Sequence, residues 1–113
     1  FFIHVNLSVT MQPIIIVSTF PSKQSITKIS NQIVRKNLAA CVNIVKISSV
    51  YAWKGKIENQ PEYLALFKTT KKNESNLKKE LIKLHPYDVP EIAKINVSSM
   101  NKPYLNWLID STN

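Results

Sequence analysis

Glycine is almost missing from this chain: Gly55 is the only one in 113 residues. Phosphate-cradling loops need several glycines so that backbone amides can approach the anion. Neither a P-loop nor a dinucleotide-binding fingerprint can be built here. Cysteine is as scarce. Cys41 stands alone, which excludes an internal disulfide and any multi-cysteine zinc site and suits a reducing compartment. No apolar run approaches the ~20 residues of a membrane span. Acidic residues are few as well, seven against fifteen basic ones, for a net charge of +8.

That charge raises the question of nucleic acid, because lysines gathered on one face neutralise phosphates. Here they are scattered. Lys71, Lys72, Lys78, Lys79 and Lys83 border one predicted helix, the others are spread along the chain, and no tract of five like charges occurs. A solvated lysine surface is the simpler account. With 44% hydrophobic residues the chain can bury one thin core, as a single domain.

The stretch before Met11, "FFIHVNLSVT", lacks the basic n-region and small-residue cleavage site of a secretory signal. A leader remnant, an upstream extension and an extra strand all remain open for it. Residues 1–12 are read as an N-terminal extension and 13–113 as one domain.

Next comes "IIIVST", Ile14 to Thr19, apolar on both faces as a central strand should be. Ser22 is a candidate N-cap for a helix whose inner stripe is Ile26, Ile29, Ile33 and Val34, ending near Asn37. Cys41 to Trp53 reads as a long strand. Its apolar parity changes near Ile44 and Val45, which predicts a bulge or bend. Gly55 marks a hairpin turn, and "EYLALFKTT" is the returning strand. A second helix is expected from Asn73, with Leu77, Leu81 and Leu84 inward, stopping at His85 before Pro86. Glu91 to Val97 is a last strand. A terminal helix follows, with Asn101 as cap, Pro103 in its first turn, and Leu105, Leu108 and Ile109 inward.

The order βαββαβ plus a helix predicts an α+β, ferredoxin-like antiparallel sheet with both crossover helices on one face. The other face is then bare, yet Tyr51, Trp53, Tyr63 and Phe67 are too large and apolar to be left wet. With no spare element in so short a chain, another copy of the chain is the expected lid.

Six strings, "IIIVSTFPS", "KNLAACVNIV", "YAWKGKIE", "LFKTT", "LHPYDVPEI" and "YLNWL", run in order from about Ile14 to Asp110. Together they resemble the CutA divalent-cation tolerance family. The resemblance implies a ferredoxin-like subunit in a homotrimer, similar in architecture to nitrogen-regulatory PII signalling proteins. It also implies a role in tolerance of copper and other divalent metals, and no catalytic activity. Animal members are associated with anchoring a membrane-bound enzyme. In some bacterial members copper binding is ascribed to two adjacent histidines in the "LHPYDVPEI" turn and a cysteine near the end of the first strand. The matching positions here are Leu84, His85 and Ser18, so only His85 remains. A weak or absent copper site is the expectation.

The candidate metal donors are therefore Cys41 and His85, a thiolate and an imidazole that would suit copper. Against them stand two plainer readings: a small buried cysteine, and a histidine that caps a helix C-terminus. Asp88 and Glu91 are the nearest approach to a paired-carboxylate site. Spacing of three in a proline-stiffened turn does not promise the fixed separation that acid–base catalysis needs. Asp88, Glu91 and Lys68 are read instead as lining a cleft between subunits. His4 and Met100 are poor metal candidates. No nucleophile with a base and an orienting acid can be assembled, so no enzyme activity is expected.

RNA-recognition domains share the βαββαβ order, but they stack bases on RNP1 aromatics across an open sheet. "EYLALFKTT" lacks the glycines of that motif, and a covered face would remove the platform. The expected partners are copies of the chain itself and a metal ion or small ligand, with no nucleic acid and no membrane span. The expected location is the cytoplasm, with organellar targeting left open. A scaffold role is a further open reading.

Overall fold

β1 forms at Pro13–Phe20, in a computed structural model that describes residues 9–113. Most of the "FFIHVNLSVT" stretch, including its reading as an extra strand, lies outside the described residues. Residues near its end join the fold: the backbone N–H of Lys71 donates to the Gln12 carbonyl at 2.9 Å.

Strand alternation divides β1 cleanly. Ile14, Ile16, Ser18 and Phe20 are buried on one side, while Ile15, Val17 and Thr19 are half-buried on the other. α1, Lys23–Arg35, starts because Ser22 sits extended and its Oγ accepts the Ser25 N–H at 3.1 Å. It buries Ile26, Ile29 and Ile33. Val34, expected on the same stripe, is exposed. Helical spacing carries it past the edge of the contact with the sheet. Asn37, at φ 60°, turns the chain out of the helix.

β2, Cys41–Trp53, and β3, Lys56–Thr70, form a long hairpin. Lys54 and Gly55 both have positive φ, 50° and 78°. That is the two-residue turn whose twist matches the flanking strands, and the lone glycine is spent there. The expected bulge does not occur. Pairing is one-to-one from Cys41↔Lys68 to Trp53↔Lys56. The parity change at Ile44 and Val45 has another cause: Val42 and Ile44 are the β2 residues that pack against the core, and in β3 full burial ends at Ala65, opposite Ile44. The strands leave the helix layer there and continue as a free arm, in a molecule 55 Å long and about 26 Å across.

A short 3₁₀ turn, Lys71–Asn73, leads into α2, Glu74–Leu84, which buries Leu77 and Leu81 and ends with His85 as C-cap. Asn73 precedes the helix but its side chain does not cap it. It is buried, and its Nδ2 donates to the Thr112 carbonyl at 3.0 Å and to Thr70 Oγ1 at 3.3 Å. β4, Ala93–Asn96, is shorter than expected, and α3, Lys102–Ser111, has Pro103 in its first turn.

The sheet order is β2-β3-β1-β4, all antiparallel, which is the ferredoxin-like arrangement. α1 and α2 close the core over Ile14, Ile16, Phe20, Ala65 and Phe67. Phe67 therefore corrects an expectation. It was placed on the face away from the helices, but it is fully buried beneath them, 6.4 Å edge-to-face from Phe20. Tyr63 shares its parity and packs against the same core. The register explains both, since Phe67 lies opposite Ile16 and Val42, whose side chains point inward.

The open face is apolar nonetheless, and aliphatic rather than aromatic along its centre. Ile15, Val17, Leu64, Leu66, Val45 and Ile95 share it by pairing. Val45 and Ile95 are each about half exposed. One end of this face has a cover that was not foreseen. Lys68, on this face by register, places its Nζ 5.6 Å from the centre of the Tyr104 ring of α3.

Candidate functional site

His85 is the best-connected polar group in the elbow between α2 and β4. Pro86 makes the preceding residue extended, and His85 sits at φ −67°, ψ 134°. That turns its ring back over the end of β1, where it stacks on Phe20 with centroids 4.3 Å apart and planes at 19°. The backbone N–H of Tyr87 donates to Nδ1 at 3.1 Å. Nδ1 is then unprotonated, and the hydrogen of the neutral ring is on Nε2. Nε2 donates to Ser18 Oγ at 3.0 Å, and the Ser18 hydroxyl donates in turn to the Glu91 carbonyl at 2.6 Å. Both ring nitrogens are occupied. Burial lowers the His85 pKa from its usual value, partly offset by a backbone hydrogen bond at Thr19.

This chain of bonds ties the two ends of the elbow to β1. It also answers the metal question for one pair of donors. Ser18 is on the helix side of the sheet, with Ala65 and Ile44 as its ladder neighbours. Cys41 pairs with Lys68, which pairs with Ile15, on the opposite side. His85 and Cys41 are separated by the sheet itself. Among the described residues no cluster of three or more His, Cys, Asp or Glu is placed to hold a metal ion.

A cavity of about 580 Å³ lies between the arm and the elbow. The arm supplies Tyr51, Trp53, Glu58, Gln60 and Glu62; the elbow supplies Tyr87, Asp88, Val89 and Glu91; Thr19 comes from β1. Strand alternation explains the arm's share. Tyr51 lies opposite Glu58 and Ser49 opposite Gln60, all on one face of the ribbon. Tyr87 bridges the walls, its hydroxyl donating to Glu62 at 2.7 Å. Burial, with the Glu62 carboxylate next, raises the Tyr87 pKa far above its usual value, so this hydroxyl stays protonated as the donor.

Of the residues expected in a cleft, Asp88 and Glu91 are brought together here, and Lys68 is not. It stands against Tyr104 at the other end of the sheet. Tyr51 and Trp53, expected on the sheet face, do share the open face by parity with Val45, and on the arm they are cavity walls. Sequence reading missed Ser18 as the partner of His85, and it missed Glu58, Gln60, Glu62 and Tyr87. One signal was available: the period-two run Glu58, Gln60, Glu62 across the hairpin from Tyr51 and Trp53.

Comparison with known proteins places this geometry. The family described as CutA1 divalent ion tolerance protein matches residues 14–111. The chain belongs to that family. The divalent-cation tolerance protein CutA of Thermotoga maritima is 42% identical over 98 residues, covering 87% of this chain and 97% of the relative. The crystal structure of CutA1 from Pyrococcus horikoshii superposes with a TM-score of 0.86 at 39% identity, over 88% of this chain and 98% of that one. The Arabidopsis thaliana relative, 39% identical over 93% of this chain and 58% of its own length, is named chloroplastic, and the CutA of Archaeoglobus fulgidus, 32% identical with a TM-score of 0.86 over 89% of this chain and 99% of that one, is described as periplasmic. No helix among the described residues is long and apolar enough to cross a membrane.

Proposed function

We propose that the chain serves divalent-cation tolerance as a non-catalytic, self-associating protein that binds a small ligand in the cleft between arm and elbow. The observation that carries this reading is the uncovered aliphatic face. Ile15, Val17, Leu64, Leu66, Val45 and Ile95 form a continuous patch that neither α1 nor α2 covers. Burying such a patch contributes about 25 cal/mol per Å² of apolar surface removed from water. Copies of the same chain supply the matching surface, and three copies is the number the family resemblance favours. Assembly in the cytoplasm fits the single free Cys41.

Copper sits poorly in this reading. His85 has both nitrogens engaged and Cys41 is across the sheet, so metal tolerance here does not rest on a tight imidazole–thiolate copper site. A PII-like small-ligand role is favoured instead by the cleft between arm and elbow. Sedimentation velocity tests the assembly: the unaltered chain is expected to run as a trimer, and Leu66→Lys as a folded monomer by circular dichroism. A monomeric unaltered chain at about 10 μM would overturn the reading. Calorimetric titration with Cu(II) tests the second part, and a tight site lost in His85→Ala would contradict it.

A further inference from the structure

The cleft between arm and elbow has an unusual chemistry for this chain. Three of its walls are aromatic, Tyr51, Trp53 and Tyr87, and Trp53 remains 52% exposed. Around them stand Glu58, Glu62, Asp88 and Glu91, four of the seven acidic side chains in a protein of net charge +8. No lysine or arginine lines the cavity. Of the three acids elsewhere, two are matched with lysines, Glu74 with Lys78 and Lys94 and Glu80 with Lys36, and Asp110 is in no ion pair among the described residues. The four in the cavity have no ion-pair partner among the described residues.

A metal ion is the wrong cation for this cavity, because these carboxylates do not converge as metal ligands do. Dispersed negative charge around aromatic faces suits a diffuse positive charge on an apolar body, which gains from ring quadrupoles and carboxylates together. The volume of about 580 Å³ is that of a small-molecule site. We propose that this cavity binds an amphipathic organic cation, an ammonium group on an aromatic or alkyl body. The proposal rests on the small-ligand reading above and names the chemistry of that ligand. The positive field of the rest of the molecule opposes such a ligand at long range. The local acids reverse that sign where the ligand binds.

Trp53 is a built-in reporter once the only other tryptophan is replaced in the full chain by Trp107→Phe. Benzyltrimethylammonium, benzyl alcohol and phenylacetate supply cationic, neutral and anionic probes of similar body. Saturable Trp53 fluorescence change is expected with the cation, at least about tenfold tighter than with the alcohol, and none with phenylacetate. Glu58→Gln combined with Glu62→Gln is expected to weaken the cation about fivefold while preserving the circular dichroism spectrum. Equal binding of the alcohol, displacement by millimolar calcium, or no saturable change in the folded protein would each overturn the proposal. Sedimentation of the same samples separates the two ideas. An intact assembly that ignores the cation sinks this inference alone, whereas a monomer sinks the assembly reading.

Discussion

Replacing Ser18 by alanine removes one oxygen from a fully buried position and should be felt across the elbow. Ser18 Oγ accepts from His85 Nε2 at 3.0 Å and donates to the Glu91 carbonyl at 2.6 Å. Ser18→Ala leaves an imidazole N–H and a carbonyl without their partner, and each such group costs about 1–3 kcal/mol when it stays buried. His85 is held under Phe20 and recovers little. Glu91 is exposed and regains water at its carbonyl. The net loss is therefore roughly 2 kcal/mol, a large fraction of a stability near 5–15 kcal/mol. Urea unfolding at neutral pH measures it, at one protein concentration because assembly would shift the midpoint. Hydrogen exchange at the Tyr87 amide, which donates to His85 Nδ1, reports whether the loss is local. A loss under about 0.5 kcal/mol with unchanged Tyr87 exchange would refute this hydrogen-bond wiring.

Three further outcomes follow from the same geometry. The His85 pKa is depressed in the folded chain, so the unfolded state binds more protons below its ordinary value of about 6.5. Stability is then complete above that pH and falls as pH drops through it, by at most about 1.4 kcal/mol per unit for this one group, and His85→Gln flattens that part of the urea-midpoint profile. Gly55→Ala costs roughly 1 kcal/mol through its φ of +78°, since nothing lies within 4 Å of the added methyl; thermal unfolding reads this, and a neutral result would count against the turn geometry. Ser18→Cys sets a thiol where Oγ meets His85, and it is expected to gain Cu(I) binding by competition with a chromogenic chelator, whereas Cys41→Ser changes nothing in that assay.

Strand and helix order was readable because each element carries its own period. Ile14, Ile16 and Phe20 alternate, and Ile26, Ile29 and Ile33 recur at helical spacing. Faces were harder. Both parities of β3 are apolar, so Phe67 and Leu66 look alike until register decides which one meets α1 and α2. The break in pattern at Ile44 and Val45 records where the helices stop covering β2, and a bulge would leave the same mark in sequence. At the site, "LHPYDVPEI" announced a rigid elbow through its prolines. Its bond to Ser18 spans 67 positions, and no local spacing encodes such a contact. The cavity was invisible for a related reason, because its walls come from two segments joined only by tertiary packing.

The order β2-β3-β1-β4 leaves two margins of very different reach, thirteen residues on one side and four on the other. A margin that long presents unmated amide and carbonyl groups to any passing polypeptide. A newly made chain is thus stickiest before it meets its proper neighbours, and Lys46, Lys54 and Lys56 are its chief electrostatic guards along that ribbon. Dilution, which protects most small proteins from clumping, would prolong the vulnerable interval for this one.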